Sequence, residues 1–131
     1  MANLSQLGQI ALTVNDVDAA EAFYENTLGL RKLHRHGDSL FFDCAGLRLM
    51  LSKPETGESN APGSTLYFRT DDIITTHDDL QAKGVQFTDV PHLVAPMDNH
   101  DLWMVFFQDP ADNPLALMYE APKDWTPPQG Y

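Results

Sequence analysis

From Gln9 to Val14 the chain alternates, with Ile10, Leu12 and Val14 on one side and Gln9, Ala11 and Thr13 on the other. This period-two pattern predicts a strand with one packed face and one small, partly polar face. Asp16 stands where a helix N-cap is expected, Val17, Ala20, Phe23 and Leu28 form one helical stripe, and Gly29 supplies a left-handed stop. Three more strands are predicted near residues 30–36, 39–43 and 47–52, separated by tight turns at Gly37-Asp38 and Ala45-Gly46. On the last of them Leu47, Leu49 and Leu51 share one face, and Arg48, Met50 and Ser52 the other.

The same order then repeats. A strand over 64–70 places Leu66 and Phe68 on one face and Thr65, Tyr67 and Arg69 on the other, and Asp72, 56 residues after Asp16, caps a second helix. Ile73, His77 and Leu80 share its apolar stripe and Gly84 ends it; on that stripe His77 reads as a satisfied, partly buried histidine. A strand near 86–90 leads into an irregular segment from Val90 to His100 that contains Pro91 and Pro96, of the kind that serves as a binding loop. Strands at Leu102–Phe107 and Leu115–Glu120 complete the copy. The two copies predict an α+β fold of two βαβββ modules: module one over about 7–52, a turn-rich linker over 53–63, module two over 64–120 and a Pro-rich tail over 121–131. Each module would carry its helix on one face of a four-stranded sheet, and two such sheets joined edge to edge would make a curved, open trough. The aromatic residues of the tail are expected to lie over a neighbouring surface.

Composition narrows the function classes. The 131 residues, 43% of them hydrophobic, bury one sizeable core or two small modules sharing one. No stretch approaches the ~20 apolar residues that span a bilayer, and the start of the chain lacks the basic and apolar runs of a signal peptide, so a soluble, cytoplasmic protein is expected. The single cysteine, Cys44, has no internal disulfide partner and no histidine near it in sequence, and reads as a buried or edge thiol. A net charge of −11 repels phosphate backbones and anionic membranes, which argues against nucleic-acid and membrane partners.

The run Ile10-Ala11-Leu12-Thr13-Val14-Asn15-Asp16 before Phe23-Tyr24 and Leu28-Gly29-Leu30, together with Phe106-Phe107-Gln108-Asp109-Pro110-Ala111-Asp112-Asn113-Pro114-Leu115, resembles the vicinal oxygen chelate superfamily. That superfamily groups glyoxalase I, bleomycin-resistance proteins, methylmalonyl-CoA epimerase and extradiol dioxygenases, and the likeness spans roughly residues 7–120. Its metalloenzymes hold one divalent ion with ligands from the first and last strands of each module. By this resemblance the four ligand positions fall on Gln9, on or near Met50, on Thr65 and on Ala116. Only Gln9 offers the family's kind of donor, and the one carboxylate on the inward face of the last strand, Glu120, stands four residues, ~13 Å, beyond the expected place. The usual metal site is therefore expected to be absent, with no cofactor in its place.

Histidines offer other arrangements, His34 with His36 on one strand and His92 with His100 around Asp98 and Asp101, but ordinary surface positions explain them better. What the resemblance leaves in the trough is a mixed lining: Met50, Tyr67, Met118 and Trp103 or Phe106 as apolar surface, and Gln9, Arg48, Arg69 and Glu120 as polar handles. Mostly apolar walls with sparse orienting groups suit a small organic molecule. The expected function is metal-independent binding of such a molecule, in the manner of bleomycin-resistance proteins, by a chain that pairs as a homodimer. The alternative is a lyase, isomerase or dioxygenase relative with a displaced site built from Glu120, His92 or His100, and whether the chain is an enzyme is left open. The acidic balance suits a cationic or aromatic ligand, although Arg48 and Arg69 would oppose a cation locally.

Overall fold

The computed structural model describes residues 4–54 and 64–128. Most of the expected linker, residues 55–63, and the end of the tail, residues 129–131, lie outside the described residues. The chain divides into two compact units, residues 1–63 with Pro110–Asn113, and residues 64–109 with 114–131.

The first unit runs β1 (Gln9–Thr13), α1 (Val17–Ala22), β2 (Arg31–His36), β3 (Ser39–Cys44) and β4 (Leu47–Ser52). Its sheet has the order β1-β4-β3-β2, with β1 parallel to β4 and the other pairs antiparallel. The alternation of the sequence is obeyed: Leu12, Leu49 and Leu51 are buried on the side where α1 packs against β3 and β4. Asp16 caps α1 by accepting a hydrogen bond from the Ala19 amide at 3.0 Å. A turn of π-helix over Phe23–Thr27 follows, in which the Leu28 amide reaches back to the Phe23 carbonyl at 2.9 Å. The buried stripe is Val17, Ala20 and Tyr24 rather than one through Phe23, because spacings of three and then four hold a helical face that two successive threes would leave. Tyr24 is fully buried against Phe42, ring centroids 5.9 Å apart.

The second unit repeats this plan: β5 (Leu66–Arg69), α2 (Ile73–Ala82), β6 (His92–Pro96), β7 (Asp101–Gln108) and β8 (Pro114–Ala121), in the order β5-β8-β7-β6 with β5 parallel to β8. Asp72 caps α2 by accepting from the amides of Ile74 and Thr75. His77 is 4% exposed, its Nδ1 3.0 Å from Asp78 Oδ1 and its ring 4.3 Å from that of Phe87, a satisfied core histidine as expected.

Two expectations for this unit are corrected. Residues 86–90 form no strand; Phe87 makes one isolated bridge to Phe107, and the strand falls instead on His92–Pro96, inside the segment expected to be irregular. The reason is its place at the sheet edge, where a proline need not donate to a neighbour, and a register shift between Leu93 and Ala95 absorbs the misfit. Its counterpart β2 carries the same irregularity between Lys32 and His34. Beyond Ala121, which ends β8, the described residues of the tail form no regular element, and Trp125 lies against Trp103 and Tyr119 of its own unit, centroids 5.3 and 5.2 Å away.

The loop Pro110–Asn113, although it joins β7 to β8, is part of the first compact unit. There the buried Asn113 donates from Nδ2 to the Thr13 carbonyl at 2.9 Å, closing the end of β1. Asn113→Ala removes a buried partner and is expected to cost about 1–3 kcal/mol. Calorimetry should show the melting temperature falling by several degrees, and an unchanged value would show that this bond contributes nothing.

Candidate functional site

Most of the candidate residues fall on the sheet faces opposite the helices. In the first unit that face carries Gln9, Ala11 and Thr13 from β1, and Arg48, Met50 and Ser52 from β4, with Gln9 directly opposite Arg48. The Arg48 Nε–H donates to Gln9 Oε1 at 2.7 Å, and the Gln9 amide nitrogen lies 3.9 Å from Met50 Sδ. Phe41, not singled out from sequence, completes the face together with His34. Phe41 stands opposite Met50, with the Arg48 guanidinium 5.8 Å from its ring centre, and its ring stacks on His34 at 4.5 Å. The adjacent pair Phe41-Phe42 was the available signal, since alternation sends one ring to each face and Phe42 is fully buried on the helix side.

Lys32 and Arg35 of the edge strand point the opposite way. Lys32 meets Glu21 at 2.8 Å, and Arg35 reaches Asp18 and Glu21 at 2.7 and 2.9 Å, tying β2 to α1. The Lys32 ammonium holds the Glu21 carboxyl below its usual range; Glu21 in turn raises Lys32, and Asp18 with Glu21 raises Arg35. Arg48 takes no part in this network.

In the second unit the face opposite α2 carries Tyr67 and Arg69 from β5, Ala116, Met118 and Glu120 from β8, and Leu102, Met104 and Phe106 from β7. Ala116 lies between Tyr67 and Phe106 in the register and is fully buried, while the two rings meet edge to face at 6.2 Å. A methyl group at this point is what lets them approach. Tyr67 itself is 48% exposed. At the end of β8, Glu120 accepts from Arg69 at 2.9 Å through one oxygen, and its other oxygen lies 3.2 Å from His100 Nε2. The His100 Nδ1 is 2.6 Å from Asn99 Oδ1. His92 is not brought to His100: it stands opposite Met104, its Nδ1 2.7 Å from the Val90 carbonyl and its ring 6.5 Å from Phe106. Thr65 precedes β5 and lies outside it.

Trp103 is the clear correction among the candidates. It pairs with Tyr119 and packs with Trp125, so it belongs to the opposite face, while Phe106 takes the place that sequence divided between them. On the eight-residue β7 the parity of 103 differs from that of 104 and 106, which settles the matter.

The four ligand positions of the family do not form a donor set for a divalent ion. Gln9 has its oxygen engaged by Arg48, Met50 offers a thioether, Thr65 a hydroxyl and Ala116 nothing. Among the described residues, no three or more His, Cys, Asp or Glu side chains gather in a way that would hold a metal. Likewise no helix among them is long and apolar enough to cross a membrane.

The comparisons agree with this architecture. The sequence profile of the glyoxalase/bleomycin resistance protein/dioxygenase superfamily matches residues 6–121, and the chain belongs to that superfamily. It is 31% identical over 130 residues to the uncharacterized protein YraH of Bacillus subtilis (strain 168), covering 86% of this chain and 96% of that protein. Among solved structures it is similar to a lactoylglutathione lyase from Agrobacterium tumefaciens, with a TM-score of 0.74, 23% identity, and 89% of this chain and 95% of that one covered. It is also similar to a glyoxalase/bleomycin resistance protein/dioxygenase from Alicyclobacillus acidocaldarius, with a TM-score of 0.68, 21% identity, and coverage of 92% and 95%. These structural likenesses establish the fold, and membership supports a ligand-binding or lyase-like role.

Cys44 does not add a nucleophile to either face. It is half-buried at the end of β3, where burial, reinforced by the charge of Asp43, raises its thiol above the ordinary range. Less of it is thiolate at a given pH, so alkylation by iodoacetamide at pH 8 should run slower than that of glutathione. A faster reaction, followed by mass spectrometry, would contradict this.

Proposed function

We propose that this chain binds a small organic molecule on the sheet faces opposite its helices, without the divalent ion used by the superfamily's metalloenzymes. The observation that carries the reading is the closure of Tyr67 and Phe106 over Ala116. Where a metalloenzyme of this superfamily presents a carboxylate, this chain presents an aromatic surface, flanked by Met104 and Met118 and bounded by the Arg69–Glu120–His100 group. Aromatic and thioether surface with a few oriented polar groups favours binding over proton transfer through a bound metal. The homodimer common in the superfamily belongs to the same reading.

A second reading makes Glu120 the acid–base residue of a displaced catalytic site, supported by its approach to His100. Both of its oxygens already face a partner, which favours a role in holding Arg69 and His100 in place. Protein purified without chelators separates the two readings. Elemental analysis should find zinc, nickel, manganese and iron well below one ion per chain, and light scattering should give twice the 14.6 kDa chain mass. A panel of indole, quinoline and benzoate compounds should raise the melting temperature by several degrees for at least one member, as saturation at a hundredfold the dissociation constant contributes about 2.7 kcal/mol. Stoichiometric metal, or turnover of a hemithioacetal by the purified chain, would overturn the binding reading.

A further inference from the structure

The open face of the first sheet holds a cation in place with neutral partners. Arg48 donates its Nε–H to Gln9 and sits over the Phe41 ring, which is itself backed by His34 at an interplanar angle of 21°. Because the bond to Gln9 uses Nε, the two terminal amino groups of this exposed side chain remain as donors in a plane that Gln9 and Phe41 orient. Lys32 and Arg35 of the same unit are paired with carboxylates of α1, whereas Arg48 is held by the neutral Gln9 and Phe41; Asp43, opposite it in the register, turns one oxygen to the Gly46 amide instead. An oriented guanidinium with its fork open is suited to the two oxygens of a carboxylate.

Beside it lies a concavity of about 400 Å³ lined by Ala11, Thr13, Asp38, Ser39, Met50 and Lys53 among others, a size that small organic ligands occupy. Most of these side chains are small, and Met50 belongs to both features, since it also touches Gln9. Arg48 and Met50 are two residues apart along β4, about 7 Å. That span accommodates one aromatic ring bearing a carboxylate.

We propose that this face binds a small aromatic carboxylate, its carboxylate on the Arg48 guanidinium and its ring over Met50 towards the concavity. The inference rests on the small-molecule reading above and narrows it to an anion, against the sign of the chain's net charge of −11. Within the concavity Lys53 is offset by Asp38, so the sign of the ligand is set by the Arg48 guanidinium, which a cationic ligand would have to approach.

Benzoate, benzyl alcohol and benzylamine present the same ring with three charges. In nitrogen-15 spectra of the full chain, benzoate should shift the Arg48 Nε–H and Gln9 side-chain amide signals saturably, and bind roughly tenfold tighter than the alcohol. Arg48→Gln should abolish that preference. Arg48→Lys keeps the charge but loses the fork and should lose most of it, while Lys83→Gln, which removes an equal charge at the exposed C-cap of α2, should leave it intact. Equal or tighter binding of the alcohol or the amine at these signals overturns the anion inference and leaves the small-molecule reading standing. Silence of these signals towards all three compounds overturns it as well, and the thermal panel above then decides the broader reading separately.

Discussion

Everything on the two open faces depends on the parallel pairing of the first strand of each module with its fourth. A parallel pair needs a long crossover, and here the crossover contains the helix and the two intervening strands. Once that pair forms, period-two alternation assigns every side chain of β1, β4, β5 and β8 to the helix side or the open side. Gln9 is set against Arg48 and Tyr67 against Ala116 by this register alone. A slip of one residue would exchange Leu49 and Leu51 for Arg48 and Met50 in the core, so the buried leucines guard the open face as firmly as they guard stability.

The parts of this arrangement that were legible in the sequence are those governed by local periodicity. Both N-caps, both helices and the faces of β1 and β4 follow from the spacing of Asp16, Asp72 and their neighbouring apolar residues. Less legible were features set by a partner strand. The edge strand at His92–Pro96 forms because β7 offers it a template, although its own residues include proline and an irregular step. Trp103 and Phe106 are separated by parity along β7, which becomes certain only when its pairing with β8 is known. The meeting of Phe41, His34 and Arg48 involves three strands, and no one-dimensional spacing contains it.

Charge shows the same contrast between the chain as a whole and its parts. An excess of acidic residues describes the long-range field, yet these cations are sorted: Lys32 and Arg35 brace β2 against α1, Arg69 is matched to Glu120, and Arg48 is held by the Gln9 amide and the Phe41 ring. Superfamily membership accounts for the scaffold on which these groups are displayed. This chain differs from the metalloenzyme pattern at a few positions on that scaffold, of which Ala116 under its two rings is the most definite.

The loop at Pro110–Asn113 has a consequence for how the protein is made. Its residues belong to the first compact unit but follow most of the second in the chain. During synthesis the first sheet can pair its strands early, while the carbonyl at the end of β1 waits for Asn113 until about a hundred residues more have left the ribosome. A first half ending at the linker would therefore lack the side chain that caps the end of β1, a piece of its own unit that only the later chain supplies.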